Sequence, residues 1–138
     1  MVLEHDSLDQ EVCGGIFVKI ALLFLCIPFL ALAGVTELEK IEKLIVTIEQ
    51  SNVQFIRNGQ SYPPSEAAQH LRTKLDQAAS SWFAPKKADW TAIMFIEKIA
   101  SKSSLSGKDY LIQLPDGKQV KSKDWLLEKL KIIEQSPN

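Results

Sequence analysis

The stretch Phe95–Tyr110, FIEKIASKSSLSGKDY, decides the fold because it joins an amphipathic helix to a strand. The apolar residues that recur at helical spacing and predict a buried stripe are Ile93, Ile96, Ile99 and Ala100. The serines that follow are poor helix-interior residues, since their hydroxyl groups compete for backbone hydrogen bonds. Gly107 can adopt the left-handed conformation that ends a helix. We therefore expect the helix to end between Ser103 and Gly107.

Towards the N-terminus, the pattern predicts a first helix and a short strand. Thr36 and Glu39 have the spacing of a capping box, so the helix is expected to begin there. Its apolar face is predicted to consist of Leu38, Ile41, Leu44, Ile45 and Ile48. The alternating residues 53–57 then predict a strand, which is followed by the turn dipeptide Asn58-Gly59.

Two further helices are predicted between this turn and the Phe95–Tyr110 stretch. The Pro63-Pro64 pair gives the second helix a rigid start, because proline is tolerated only in the first turn. Its apolar side is predicted to consist of Ala67, Ala68, Leu71, Leu75, Ala78, Ala79 and Trp82. Asp89 is a candidate cap for the third helix.

Towards the C-terminus, residues 110–114 and 118–122 flank Pro115-Asp116-Gly117, which is typical of a hairpin turn. Ser122 or Asp124 is expected to cap a last helix. The fold class predicted is therefore α+β, a small single domain of order α-β-α-α-β-β-α. Its three-stranded antiparallel sheet is expected to be covered by helices.

Composition is that of an ordinary globular protein, with 46% hydrophobic and 24% charged residues in 138. Beyond residue 33 the chain holds fifteen basic and thirteen acidic residues, a charge of +2 that lacks the concentrated basic footprint of a nucleic-acid binder. Both cysteines, Cys13 and Cys26, precede this point, so residues 34–138 contain no thiol. No ligand spacing in the sequence indicates a metal site or a cofactor.

The N-terminal segment has the layout of a secretory signal. Residues 20–33, IALLFLCIPFLALA, carry no charge, follow Lys19 and close with the small-residue pattern Ala31-Leu32-Ala33. We expect cleavage near Ala33, which divides the chain into an extension with a signal peptide (1–33) and one mature domain (34–138). The product would be periplasmic or secreted. The alternative is a membrane anchor formed by residues 20–33, although a spanning helix needs about twenty apolar residues.

The acidic residues before the apolar run do not fit a signal peptide, which normally begins with a short basic region. They are Glu4, Asp6, Asp9 and Glu11. Translation from Val18, read as methionine, would remove them, so a start at Val18 is a hypothesis beside the start at Met1.

Three segments carry a resemblance to a known family. They read FIRNGQSYPPSEAAQHLRTKL (55–75), FIEKIASKSSLSGKDYLI (95–112) and DWLLEKL (124–130). Together they resemble the DUF5329 family of small exported bacterial proteins, over nearly all of residues 37–134. The resemblance implies a signal followed by one domain of this organisation. The family has no assigned function, so it implies no catalytic residues.

The candidate binding residues lie on and before the second helix. Glu66, His70 and Lys74 are spaced four apart and share one helix stripe, which adjoins Tyr62. A carboxylate beside an imidazole can orient a general base, yet such a stripe is also an ordinary solvated helix face. No nucleophile is placed beside it, so no catalytic residue is assigned.

The functional expectation is a non-catalytic binding or accessory module of the bacterial envelope, with a protein, peptide or envelope component as partner. Membrane contact is expected only through an uncleaved signal segment. The alternative is a small hydrolase-like enzyme using His70. A third reading is a winged-helix-like nucleic-acid binder, since the element order matches, but export would separate the chain from DNA.

Large aromatic side chains are expected mostly in the core of so small a domain. Those that could instead line a ligand groove are Tyr62, Trp82, Phe83, Trp90 and Trp125. Among them, Tyr62 and Trp90 are predicted to be the more exposed.

Overall fold

The computed structural model describes residues 34–136. The predictions of a signal segment, of its cleavage and of an alternative start fall on residues 1–33, outside the described residues.

Helix α1 spans Glu37–Glu49 and begins at the predicted capping box. The Thr36 hydroxyl accepts a hydrogen bond from the Glu39 backbone N–H at 3.3 Å, and the Glu39 carboxylate accepts one from the Thr36 N–H at 2.7 Å. The buried residues of the helix are Ile41, Leu44, Ile45 and Ile48. Leu38, at the start of the helix, is exposed, so the apolar face is one residue shorter than predicted.

Strands β1 (Gln54–Arg57) and β2 (Gln60–Tyr62) form an antiparallel hairpin. Asn58 and Gly59 have φ angles of 52° and 83°, the positive values that a type I′ turn requires at its two central positions. The sequence indicated this turn but not the strand after it. The second strand was missed because it is short, polar and followed at once by Pro63.

Helix α2 spans Pro64–Ala79 and buries Ala67, Ala68, Leu71 and Leu75. The predicted apolar side extended to Trp82, and this was wrong. Trp82 lies beyond the helix end in a turn, where 92% of its surface is exposed.

Helix α3 is short and changes geometry along its length. It runs as an α-helix over Ala92–Met94 and as a π-helix over Phe95–Ile99. Its cap is Thr91, whose hydroxyl accepts from the Met94 N–H at 3.1 Å. The predicted cap, Asp89, lies instead in a separate 3₁₀ turn, with extended backbone between the two.

The π-helical turn explains how the buried stripe differs from the prediction. A π turn closes i→i+5 hydrogen bonds, as in the 3.0 Å bond from the Ala100 N–H to the Phe95 carbonyl. The π turn contains one more residue than an α turn, which changes the residues that face the core. The consecutive residues Phe95 and Ile96 are both buried. Ile93 was expected in the stripe but is 45% exposed.

Helix α3 ends at Ile99, not between Ser103 and Gly107 as predicted. The serine-rich segment forms a closed loop, in which Lys102 and Asp109 pair as an isolated antiparallel bridge. The Gly107 N–H donates to the Ser103 carbonyl at 2.9 Å. The φ angle of Gly107 is 69°, which confirms the predicted left-handed conformation although the glycine closes this loop and not the helix.

Strands β3 (Leu111–Gln113) and β4 (Gln119–Lys121) form the predicted second hairpin, and helix α4 (Ser122–Gln135) follows it. Ser122 does not cap this helix. It is buried, and its N–H donates to the Tyr110 carbonyl at 2.9 Å. The N-cap position belongs to Lys121, which forms no side-chain cap bond.

The sheet has four antiparallel strands in the order β2-β1-β3-β4. The α+β class is confirmed. The predicted number of strands, three, is corrected to four, and the predicted order of elements is corrected to α-β-β-α-α-β-β-α. The extra strand β2 also removes the match of element order to a winged helix. Phe55 on β1 pairs with Ile112 on β3, and both side chains are buried in the core beneath the helices.

Candidate binding site

His70 on α2 lies against Arg57 at the end of β1. The Arg57 Nη1 atom is 3.1 Å from Nδ1 and 3.0 Å from Nε2 of the imidazole. An atom so nearly equidistant from both nitrogens would clash with the ring carbon between them if it lay in the ring plane. The guanidinium therefore lies over the face of the imidazole, and this contact does not fix the tautomer of His70.

Tyr62 on β2 meets the same guanidinium. The Arg57 Cζ atom lies 5.0 Å from the centroid of the Tyr62 ring, which is within the range of a cation–π contact. Nη2 of Arg57 is 3.4 Å from the Tyr62 hydroxyl, which itself donates to Gln60 at 2.9 Å. The β1–β2 hairpin thus positions Arg57 and Tyr62 side by side.

A cavity of about 200 Å³ lies between this hairpin and α2. We call it the hairpin cavity, and it is lined by Phe55, Arg57, Tyr62, Glu66, Ala67 and His70. Its apolar part is buried core surface, and its polar groups come from three elements. This combination of an apolar floor with a few converging polar groups is typical of a ligand pocket.

A second cavity of about 430 Å³ is also lined by Arg57 and His70. We call it the loop cavity, because the 101–109 loop supplies one wall through Ser103 and Ser104. Arg57 and His70 line both cavities, so they stand at the junction between them.

Lys74, one turn after His70, lines the loop cavity but is held by backbone groups. Its ammonium donates to the carbonyl of Ile99 at 2.8 Å and to that of Lys102 at 2.7 Å. It also lies 5.0 Å from the ring centroid of Tyr110. These contacts satisfy carbonyl groups at the end of α3, which gives Lys74 a structural role.

Tyr110 lies below His70 and Lys74. Its ring is buried and packs on Phe55 with centroids 5.2 Å apart, and its hydroxyl is 3.4 Å from both His70 Nε2 and Lys74 Nζ. The hydroxyl therefore joins the two α2 side chains to the core.

Burial and, to a smaller extent, local charges shift three pKa values. Burial lowers the pKa of His70, and the positive charges of Arg57 and Lys74 lower it further. Burial lowers the pKa of Lys74, with a smaller contribution from Arg57. Burial raises the pKa of Tyr110, against an opposing effect of Arg57. At neutral pH the site therefore holds a neutral imidazole at His70 and a protonated phenol at Tyr110.

The four predicted site residues are only partly brought together. Tyr62, Glu66 and His70 line the hairpin cavity, whereas Lys74 lines the loop cavity. Within residues 34–136, Glu66 forms no ion pair with His70 or Lys74, so the expected stripe of i,i+4 pairs is not formed.

Sequence reasoning missed Arg57 and Tyr110, which complete the site. Arg57 had a usable signal, because it follows Phe55 by two positions in an alternating strand and so shares the core-facing side. Tyr110 had none, since its position under α2 depends on the 101–109 loop.

The surroundings of His70 bear on the alternative of a His70-dependent hydrolase. No serine within residues 34–136 is hydrogen-bonded to His70. Nor does the described part of the chain contain three or more histidine, cysteine, aspartate or glutamate residues grouped to hold a metal ion.

Comparison with known proteins gives the family. Residues 35–134 match the model of a family described as "Family of unknown function (DUF5329)". The chain belongs to the DUF5329 family. A relative, "Uncharacterized protein YfeK" of Salmonella typhimurium, is 35% identical over 89 residues, which cover 64% of this chain and 68% of the relative. No solved structure matches.

Membership in DUF5329 confirms the resemblance seen in the sequence. All residues of the two cavities lie inside the region matched by the family model. In the part of the chain that the structure describes, no helix has the length and apolar character to cross a bilayer.

Proposed function

We propose that this DUF5329 protein is an exported, non-catalytic binding module of the bacterial envelope, which binds a protein, peptide or envelope component at the hairpin cavity. The observation that carries the proposal is the convergence of Arg57, Tyr62 and His70 on a cavity with an apolar floor. A binding module needs such a surface but no nucleophile, metal or oxyanion donor.

Export is proposed from the sequence. The uncharged run 20–33 and its Ala31-Leu32-Ala33 ending favour cleavage after Ala33. Cleavage there would leave the Thr36 capping box intact at the start of the mature domain.

The proposal is tested by capture from envelope extracts with the full chain carrying a C-terminal tag. The site variant is Tyr62→Ala with His70→Ala. The matched control is Glu42→Ala with Arg72→Ala, which removes a 2.6 Å ion pair between α1 and α2 that lines neither cavity. Circular dichroism melts establish that each variant is folded.

We expect the wild type and the control to capture the same partner and the site variant to lose it. The N-terminal sequence of the tagged protein recovered from the envelope should begin at Gly34. Equal capture by all three proteins would remove the hairpin cavity as the site. Recovery from the cytoplasm of soluble protein that still carries residues 20–33 would contradict export.

A further inference from the structure

Arg57 is a half-buried cation that has no matching anion among residues 34–136. Within residues 34–136, no carboxylate forms an ion pair with its guanidinium. The side chains that contact it there are His70, whose pKa is lowered, and Tyr62, through its neutral hydroxyl. A partly desolvated charge is costly unless it is paired, so an anionic group of a ligand would be favoured beside Arg57.

The guanidinium keeps donor capacity for that pairing. Its contacts with His70 and Tyr62 are made through Nη1 and Nη2, and the Tyr62 hydroxyl bond is long at 3.4 Å. Within residues 34–136, its Nε atom has no hydrogen-bond partner. The edge of the guanidinium is a planar fork of N–H donors, which matches the oxygens of a carboxylate or a phosphate group.

The charges around Arg57 favour the same sign of ligand. Among the residues that line the hairpin and loop cavities, the basic ones are Arg57 and Lys74, and the only acidic one is Glu66. The lining is thus net positive, and Lys74 is fixed there by its carbonyl bonds.

We propose that Arg57 receives a carboxylate or phosphate group of the ligand at the junction of the two cavities, with an apolar part of the ligand against Phe55 and Ala67. This inference rests on the proposed function, because it names the ligand chemistry of the same site. It makes Arg57 the main anchor and gives His70 and Tyr62 the role of holding its guanidinium.

His70 provides a reporter of this binding. The charged or titratable groups that contact His70 or line a cavity with it are Arg57 on β1, Tyr62 on β2, Tyr110 ahead of β3, and Glu66 and Lys74 on its own helix. An anion on Arg57 would offset the positive charge that disfavours the imidazolium, so the pKa of His70 should rise on binding. By linkage, the anion should bind more tightly as the pH falls.

The experiment is an NMR titration of the purified full-length chain with acetate and, separately, with inorganic phosphate. Sodium chloride at matched ionic strength corrects for screening. His70 resonances are assigned as those that disappear from the spectrum of His70→Gln. We expect saturable shifts at His70 and a raised His70 pKa with at least one of the two anions.

Arg57→Gln should weaken this binding about tenfold or more, since a charge-assisted, bidentate contact is lost. Arg57→Lys, which keeps the charge without the fork, should bind with intermediate affinity, and it carries the test if the glutamine variant does not fold. Arg72→Gln is the matched control, because Arg72 is already paired with Glu42 and Glu49. It should leave the titration unchanged.

A response to acetate supports a carboxylate ligand, and a response to phosphate supports a phosphate ligand. No response to either anion, or one that persists in the Arg57 variants, overturns the inference. The capture experiment with envelope extracts tests the proposed function separately from the anion site at Arg57. If Arg57→Gln still captures the partner while the Tyr62 and His70 double variant does not, the binding module stands and the anion site fails.

Discussion

At the scale of single residues, His70 illustrates how neighbours set a protonation state. Its folded pKa lies below the ordinary value of 6.5, because of burial first and of Arg57 and Lys74 next. The unfolded chain therefore takes up a proton at a higher pH than the folded chain does. Stability due to this residue is full above about pH 6.5 and is lost as the pH falls towards the folded pKa.

This predicts a pH-dependent difference between the wild type and His70→Asn, whose amide does not titrate. Urea unfolding at several pH values between 7.5 and 5 should show the wild type losing stability faster than the variant as the pH is lowered through 6.5. His5 is common to both proteins and cancels in the comparison. If the unfolding free energies of the two proteins changed in parallel with pH, the fold would not disfavour the protonated form of His70, and this prediction would be wrong.

The contact between Arg57 and His70 shows why part of this site was not predictable. The helical spacing of Glu66, His70 and Lys74 is a property of one element, so the sequence reveals it. The contact of Arg57 with His70 joins β1 to α2, and it exists because the β1–β2 hairpin folds back beside α2. A pattern within one helix carries no information about such a neighbour.

At the scale of elements, Lys74 fastens α2 to the end of α3. Its two short bonds to the Ile99 and Lys102 carbonyls lie where the π-helical turn stops and the 101–109 loop begins. The last carbonyl groups of a helix need such donors, because no further helical turn follows to supply backbone N–H groups. The loop that carries Ser103 and Ser104 is thereby held against α2.

Lys74→Met keeps most of the unbranched side chain and removes the donor. We expect it to lower the free energy of unfolding by about 1–3 kcal/mol, because partly buried carbonyls lose their partner. Lys131→Met is the control, since Lys131 is exposed on α4 and should change stability by no more than about 0.5 kcal/mol. Equal effects of the two substitutions in chemical denaturation would refute the fastening role of Lys74.

The elements that sequence patterns predicted well are those fixed by local chemistry. The α1 capping box and the turn at Asn58-Gly59 depend on contacts a few residues apart, and both are observed. Strand β2 was missed although its partner β1 lies just across the two-residue turn. Gln60–Tyr62 becomes a strand because it pairs with β1, and its own polar composition gives no strand signal.

At the scale of the whole molecule, the aromatic residues are distributed differently from the expectation based on composition. Trp90, which was predicted to be among the more exposed, is 3% exposed, and its indole N–H donates to the Pro85 carbonyl at 3.2 Å. Trp125 is also buried. Trp82 and Phe83 are more than nine-tenths exposed in the α2–α3 connection. A small domain can bury only part of its apolar surface, and the two adjacent aromatic residues beyond the end of α2 lie outside its core.

Two tryptophan substitutions separate these environments. Trp90→Ser should lower the free energy of unfolding by about 3–5 kcal/mol, because it empties a core position and removes a hydrogen-bonded indole. Trp82→Ser removes an equally large side chain that packs against little, so its effect should stay within about 0.5 kcal/mol. The measurement is urea unfolding followed by circular dichroism. Iodide should quench mainly the fluorescence of the exposed Trp82 in the wild-type protein. This component should be absent from the spectrum of Trp82→Ser. A loss of stability in Trp82→Ser comparable with that in Trp90→Ser would place Trp82 in the packed interior and contradict this assignment.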